Sequence, residues 1–235
     1  MTIKKPEIAI FCGGFGVRMY AMALGIQKCM IKVQGRPILE HLLEQVNNAF
    51  GKAKVTLLVG YDSKSVGNYF GRRYKKLELE YAEESTKGTR LALLSARNFI
   101  HGDHFFSIDG DIIVQGNEIL DLAKFKTPEA LSILLLSKKK NIAQTHGIAT
   151  MKAKKILDFD FPPTKPLSGR YAYRFMGTAF HARRLFDRLH MTIVPTTSQV
   201  LIGAIKDGEL MEGKICNTRW WHFESQQDLK AKIKF

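Results

Sequence analysis

The chain has 235 residues, of which 45% are hydrophobic and 25% charged, and a formal net charge of +14. This composition excludes a disordered chain, and the longest apolar run, around residues 131–136, is strand-sized and far too short to cross a bilayer. Three cysteines, Cys12, Cys29 and Cys216, form no C-x-x-C pair, which argues against a disulfide framework or a thiolate zinc site.

The first element is a short apolar run, residues 8–11, which reads as a buried strand. It empties through Cys12 into a turn holding Gly13, Gly14, Phe15 and Gly16, followed by Arg18 and, ten residues later, Lys28. Glycines let backbone N–H groups crowd around an anion where a Cβ would collide. An arginine forks onto phosphate oxygens, and a lysine adds a compact positive charge. Together they predict a cradle for a polyphosphate. It is not a P-loop, because Gly16-Val17-Arg18 lacks the Gly-Lys-Ser/Thr closure. Nor is it a dinucleotide fingerprint, because Gly14-Phe15-Gly16-Val17-Arg18-Met19 ends in methionine.

Residues 37–50 predict a helix with Ile38, Leu39, Leu42, Leu43 and Val46 on one stripe and a proline at its start. Strands follow at 54–59 and 77–83, with a short helix at 63–70 between them. A helix over 89–99 leads to a strand at 105–108 that ends in Asp109-Gly110-Asp111. Then come a helix at 118–125 and a buried strand at 131–137. From about Lys138 the texture changes to strands at 147–151, 156–161 and 173–180 with Pro/Gly turns. Helices at 183–190 and 198–206, a strand at 212–216 and a helix from 226 complete the chain. Alternating strands and helices predict an α/β protein with a parallel sheet between helices. No repeat or low-complexity linker divides it, so residues 1–235 read as one domain, with a nucleotide half over about 1–137 and an acceptor half over about 138–235.

The set formed by GGFGVRM, Lys28 and Val33-Gln34-Gly35-Arg36-Pro37-Ile38-Leu39 resembles the sugar-phosphate nucleotidylyltransferase family. Its members read AGG-x-G-T-R-L, then P-K-x-x, then V-x-G-K-P-I-L. The resemblance implies a Rossmann-like, doubly wound, mixed and mostly parallel sheet of the nucleotide-diphospho-sugar transferase type. It also implies a Mg²⁺-dependent enzyme that joins an NTP to a sugar-1-phosphate or similar phosphate monoester and releases pyrophosphate. Arg18 and Lys28 would serve the transferring phosphates. Asp111 matches the family's metal-holding aspartate, with Asp109 in a supporting role beside the nucleotide. Gly88, in a turn like the family's E-x-x-x-G-T, would lie near base and ribose. Gly147 resembles the glycine that lies against the sugar, Lys165 the lysine that binds the acceptor phosphate, and Gly177 the glycine of the N-x-G-I-Y-x-F strand.

For the second metal acid the resemblance points to Trp220-Trp221-His222-Phe223-Glu224-Ser225-Gln226-Gln227-Asp228. A W-x-D-I-G alignment puts His222 on that acid, and imidazole is a poor Mg²⁺ ligand. The cytidylyltransferase endings W-x-x-M-D-T-x-x-D and E-I-D-S-x-x-D put it at Glu224, which is the assignment taken, with His222 as runner-up. The same endings favour CTP, with GTP and UTP open. Val17, Gln27, Thr164 and Phe175 depart from the family pattern, and the last two point away from the usual hexose acceptors. These departures motivate a rival reading, a catalytically impaired nucleotide-binding or regulatory relative. A second rival, RNA binding, is favoured by the charge alone, and the basic residues are scattered, so no nucleic-acid partner is expected. No Ser-His-Asp spacing supports a hydrolase. The expected setting is cytoplasmic, without a membrane partner, and compatible with a homo-oligomer.

Overall fold

The apolar run after Pro6 forms β1 (Glu7–Phe11), whose three central residues are buried. A short hairpin, β2 (Lys32–Val33) and β3 (Arg36–Pro37), leads into α1 (Ile38–Phe50), which turns Ile38, Leu39, Leu42, Leu43 and Val46 onto the sheet. There follow β4 (Ala53–Val59), α2 (Ser63–Phe70), β5 (Arg73–Tyr74), β6 (Leu77–Glu83), α3 (Thr89–Ser95) and β7 (His104–Asp109). Next are β8 (Ile112–Val114), α4 (Gly116–Ala123), β9 (Ser132–Ser137), β10 (Ile148–Lys152) and β11 (Lys155–Asp160). The last elements are β12 (Ala172–Ala182), α5 (Leu185–Met191), α6 (Thr197–Lys206), β13 (Met211–Ile215) and β14 (Trp220–His222). This computed structural model describes residues 5–13, 26–60, 62–83, 88–124, 127–138, 146–164, 171–225, 227–230 and 233.

Ten strands share one sheet in the order β10-β11-β13-β9-β12-β7-β1-β4-β6-β5. β1 runs parallel to both β4 and β7, and β4 is parallel to β6. The ladder then changes sense, because β12 is antiparallel to β7, β9 and β10. β13 returns parallel to β9. The sheet is mixed, as expected, with its longest parallel run, β7-β1-β4-β6, drawn from residues 7–109. The alternating strands and helices predicted from the sequence are present, and the helix expected from 226 is represented among the described residues by one 3-10 turn, Asp228–Lys230.

The parallel strands present their carboxyl ends along one edge, where open α/β sheets place their ligands. Phe11 lies opposite Asp109 in the β1–β7 register, so the mouth of the first loop and the acidic turn are neighbours. A separate two-stranded ribbon, β8 with β14, sits beside this edge, with His222 opposite Ile112. The Phe223 N–H donates to the Asp111 carbonyl at 3.0 Å and carries the ribbon one step further. Phe223 itself is fully buried with Ile31, Val33, Ile38 and Ile113. Burying one phenylalanine and the strand's hydrogen bonds to β8 together fix where the C-terminal segment meets the acidic turn.

Candidate active site

The cleft beside that edge has a volume of about 190 Å³ and is lined by Asp109, Asp111, His146, Phe175, His222, Glu224 and the start of α6. Successive side chains on a strand point to opposite faces. With Phe223 in the core, His222 and Glu224 therefore both face the cleft. Both alignments considered for the metal acid thus converge on one place. His222 Nε2 lies 3.4 Å from Asp111 Oδ2 and 3.7 Å from Glu224 Oε1. Asp228 holds the turn after Glu224, accepting from the N–H groups of Glu224 and Ser225 and from the Ser225 hydroxyl. Asp228 thereby shapes that turn.

Lys28, on a single 3-10 turn over Lys28–Met30, donates to Asp111 Oδ2 at 2.5 Å. Gln27 stands where the family resemblance has a proline. Its side-chain amide donates to the Cys12 carbonyl at the end of β1, and the residue is buried. Burial opposes charge on Asp111, but the hydrogen bond from His222 and the charge of Lys28 outweigh it and hold the carboxyl below the ordinary range. Burial, with repulsion from Asp111, instead pushes the Asp109 carboxyl well above that range, against the pull of Lys28. Two carboxyls two residues apart are thus driven toward opposite protonation states.

Gly177 accounts for how Asp109 fits. It sits at φ +64° in a bulge where the β12–β9 register shifts, and a Cβ there would fall 2.2 Å from Asp109 Oδ2. Bulges that re-aim a strand are common beside active sites. Gly88 has a backbone reason of its own. It is the N-cap of α3 at φ +99°, and a Cβ would fall 2.2 Å from the Pro195 carbonyl oxygen. Gly147 lines the cleft and is packed under the Phe159 ring, which a Cβ would meet at 2.4 Å. Cys12 and Gly13 stand at the end of β1, with Cys12 buried. Arg18, Gly14, Phe15, Gly16 and Lys165 lie outside the described residues.

His146 carried no role in the sequence reading, and the structure brings it into the cluster. It precedes β10 and packs edge-to-face on His222, ring centroids 4.2 Å apart. Burial, reinforced by the His222 charge, draws its pKa down to about 4. The one available signal was its adjacency to Gly147, and nothing in spacing predicts a contact across 76 positions of chain. His181 forms part of the floor. Its two ring nitrogens bond the hydroxyls of Ser107 at 2.8 Å and Ser132 at 2.7 Å, and burial lowers its pKa to about 3.

The cluster of Asp111, Glu224, His222 and His146 can hold a divalent cation. Its two carboxylates fit a hard ion such as Mg²⁺, whereas its two imidazoles do not.

A family model described as nucleotidyl transferase matches residues 8–204. The chain belongs to the nucleotidyl transferase family. Among relatives of the chain is the bifunctional protein GlmU of Methanococcus vannielii, 34% identical over 127 residues. That alignment covers 54% of the chain and 29% of the relative, so the chain spans about a third of the length of such relatives. Among solved structures, UDP-glucose pyrophosphorylase from Acinetobacter baumannii superposes with a TM-score of 0.82 at 14% identity, covering 96% of this chain and 90% of that one. The inositol-1-phosphate CTP transferase from T. maritima gives 0.78 at 15% identity, covering 95% and 91%. At such identities the likeness establishes the nucleotide-diphospho-sugar transferase fold. Family members typically use a divalent metal. Among the described residues, no helix is long and apolar enough to cross a membrane.

Proposed function

We propose that this chain transfers a nucleotidyl group from an NTP to a sugar-1-phosphate or similar phosphate monoester, releasing pyrophosphate. The observation that carries the reading is the Lys28–Asp111 pair, with His222 and Glu224 beside it, at the carboxyl ends of the parallel strands. A phosphate oxygen of the acceptor attacks the α-phosphorus in line, and the bond to the pyrophosphate oxygen breaks. Phosphate monoesters are largely ionised near neutrality, so the protein needs no strong general base; positioning and charge neutralisation supply the acceleration. Lys28, poised on Asp111, would exchange that contact for the α-phosphate. Arg18 and the backbone of Gly13, Gly14, Phe15 and Gly16, next to Cys12, are proposed for the β- and γ-phosphates. Asp109 and Gly88 are proposed beside the nucleotide, and Gly147, Lys165 and Gly177 on the acceptor side. Asp111 and Glu224 would hold the divalent cation, Mg²⁺ on the family resemblance, which when bound neutralises phosphate charge.

The base is proposed to be cytosine, on the support of the Glu224-Ser225-x-x-Asp228 ending. Pyrophosphate release measured over CTP, UTP, GTP and ATP with a panel of phosphate monoesters tests the reading. Release with one pair sustains it, and preference for UTP or GTP would replace the cytosine assignment alone. A second reading, nucleotide binding without turnover, is favoured by the imidazole of residue 222 where many family members have an acid. Saturable NTP binding with no pyrophosphate release for any acceptor would establish it.

A further inference from the structure

His146, His222 and Glu224 offer ligand atoms that all lie within 4.8 Å of one another. They come from three places: the segment before β10, strand β14, and the turn that follows it. Asp111 Oδ2 adds a fourth donor 3.4 Å from His222 Nε2. Ligand atoms about 2.0–2.2 Å from one cation are separated by roughly 3.0 Å at right angles and about 3.4 Å at tetrahedral angles. The separations of 3.4 Å and 3.7 Å about His222 are therefore close to those of donors on a single ion, the three-residue group as a whole closes from within 4.8 Å, and the ion would take the place of Lys28 on Asp111 Oδ2.

The scaffold behind the donors is rigid. Phe223 is fully buried between His222 and Glu224, and Asp228 fixes the turn that carries Glu224. Arg174 Nη1 donates to the His146 carbonyl at 3.3 Å, and the Phe175 N–H donates to the Gly147 carbonyl at 2.9 Å, which together hold the His146 backbone. The Trp220 and His146 rings stand edge-on with their centroids 6.4 Å apart. Mg²⁺ selects oxygen donors in near-octahedral geometry and keeps several waters, whereas imidazole suits first-row transition cations. Two imidazoles with one or two carboxylates is a donor set for the latter.

We propose that His146, His222 and Glu224 form a binding site for a divalent transition cation of the Mn²⁺, Co²⁺ or Zn²⁺ class, completed by Asp111, and that this site prefers such a cation to Mg²⁺. Binding stands on the donor geometry; its use in turnover rests on the nucleotidyl-transfer reading. The preference follows the order of affinities of nitrogen-containing sites, in which Zn²⁺ and Co²⁺ exceed Mn²⁺.

The test uses the full chain stripped with chelator and titrated with Co²⁺, Zn²⁺ and Mg²⁺ in the absence of nucleotide. One Co²⁺ per chain is expected, with visible ligand-field bands and affinity at least ~10²-fold above that for Mg²⁺. His146→Gln and His222→Asn should each weaken Co²⁺ at least ~10-fold while leaving Mg²⁺ affinity within about twofold. His222→Asp should narrow the gap between the cations by replacing a nitrogen donor with oxygen. Melting temperatures of the metal-free variants identify those that stay folded, and His222→Asp serves where His146→Gln does not. Co²⁺ binding that survives both histidine substitutions, or affinity no greater than for Mg²⁺, would overturn the proposal. A chain that transfers nucleotide with Mg²⁺ yet binds no Co²⁺ through His146 would overturn it while leaving the transfer reading intact. A chain without transferase activity that binds Co²⁺ through these residues would do the reverse.

Discussion

The rim and the floor of the same cleft use histidine in opposite ways. At the rim, His222 faces the carboxylates of Asp111 and Glu224, with Lys28 on the same Asp111 oxygen. On the floor, the ring nitrogens of His181 face the hydroxyls of Ser107 and Ser132, and its ring packs on Phe105. A neutral imidazole donates from one nitrogen and accepts at the other, and serine hydroxyls can complement both. The floor therefore requires no charge, while the rim gathers carboxylates, an imidazole and a lysine around Asp111. The contrast teaches that residue type alone assigns no role here, and that the neighbours brought by the sheet decide it.

Removing the acid at the centre of the rim should break the contrast most severely. Asp111→Ala is expected to lower kcat/KM by at least ~10²-fold, about 2.7 kcal/mol of transition-state stabilisation, in a pyrophosphate-release assay. Wild-type turnover in that variant would remove the rim from the chemistry. Next comes the residue that joins rim to floor. Gly177→Ala puts a Cβ into the Asp109 carboxyl at positive φ, and should cost at least about 2 kcal/mol in urea unfolding. An unaffected midpoint would mean that Asp109 has room to move.

Lys28→Ala should reduce turnover at least roughly tenfold, over about 1.4 kcal/mol, with little change in Tm. A variant that loses stability but keeps turnover would make Lys28 a structural partner of Asp111. The smallest effect belongs to the floor. His181 has its pKa lowered to about 3 by burial, against an ordinary value near 6.5. Above that ordinary value it is neutral in both states, and its stabilisation is fully present. As pH falls through 6.5 toward 3 the unfolded chain takes up the proton first, so stability declines. Between neutrality and pH 6 the decline is under about 1 kcal/mol. His181→Gln should flatten the urea midpoint across that interval relative to wild type, and an unchanged slope would exclude His181 as its source.

What was readable in the chain depended on how far apart the deciding residues lie. The strand at β1, the stripe of α1 and the acid-ended β7 rest on contiguous periodicity, and each occurs where its residues predicted it. The β8–β14 ribbon carries no such signal, because three residues cannot establish a period and its partners lie more than a hundred positions apart. That ribbon is what sets His222 against Asp111, so the choice between Glu224 and His222 could not be made from the motif. His146 was hidden for the same reason. The bulge in β12 was marked only by a glycine within an apolar strand, a sign that something approaches closely without saying what. Gln27 read as a loss of the family's proline, and its bond to Cys12 is visible only once the end of β1 is in place.

The burial of Phe223 has a consequence for how such a site can change by descent. A strand repeats its facing every second residue, so positions 222 and 224 face the same cleft while 223 faces the core. A polar group facing the cleft can be moved between 222 and 224 with the backbone untouched. Passing it to the residue in between would expel a phenylalanine from its place among Ile31, Val33, Ile38 and Ile113. Drift in the stretch over residues 222–224 is thus open in steps of two and closed in steps of one.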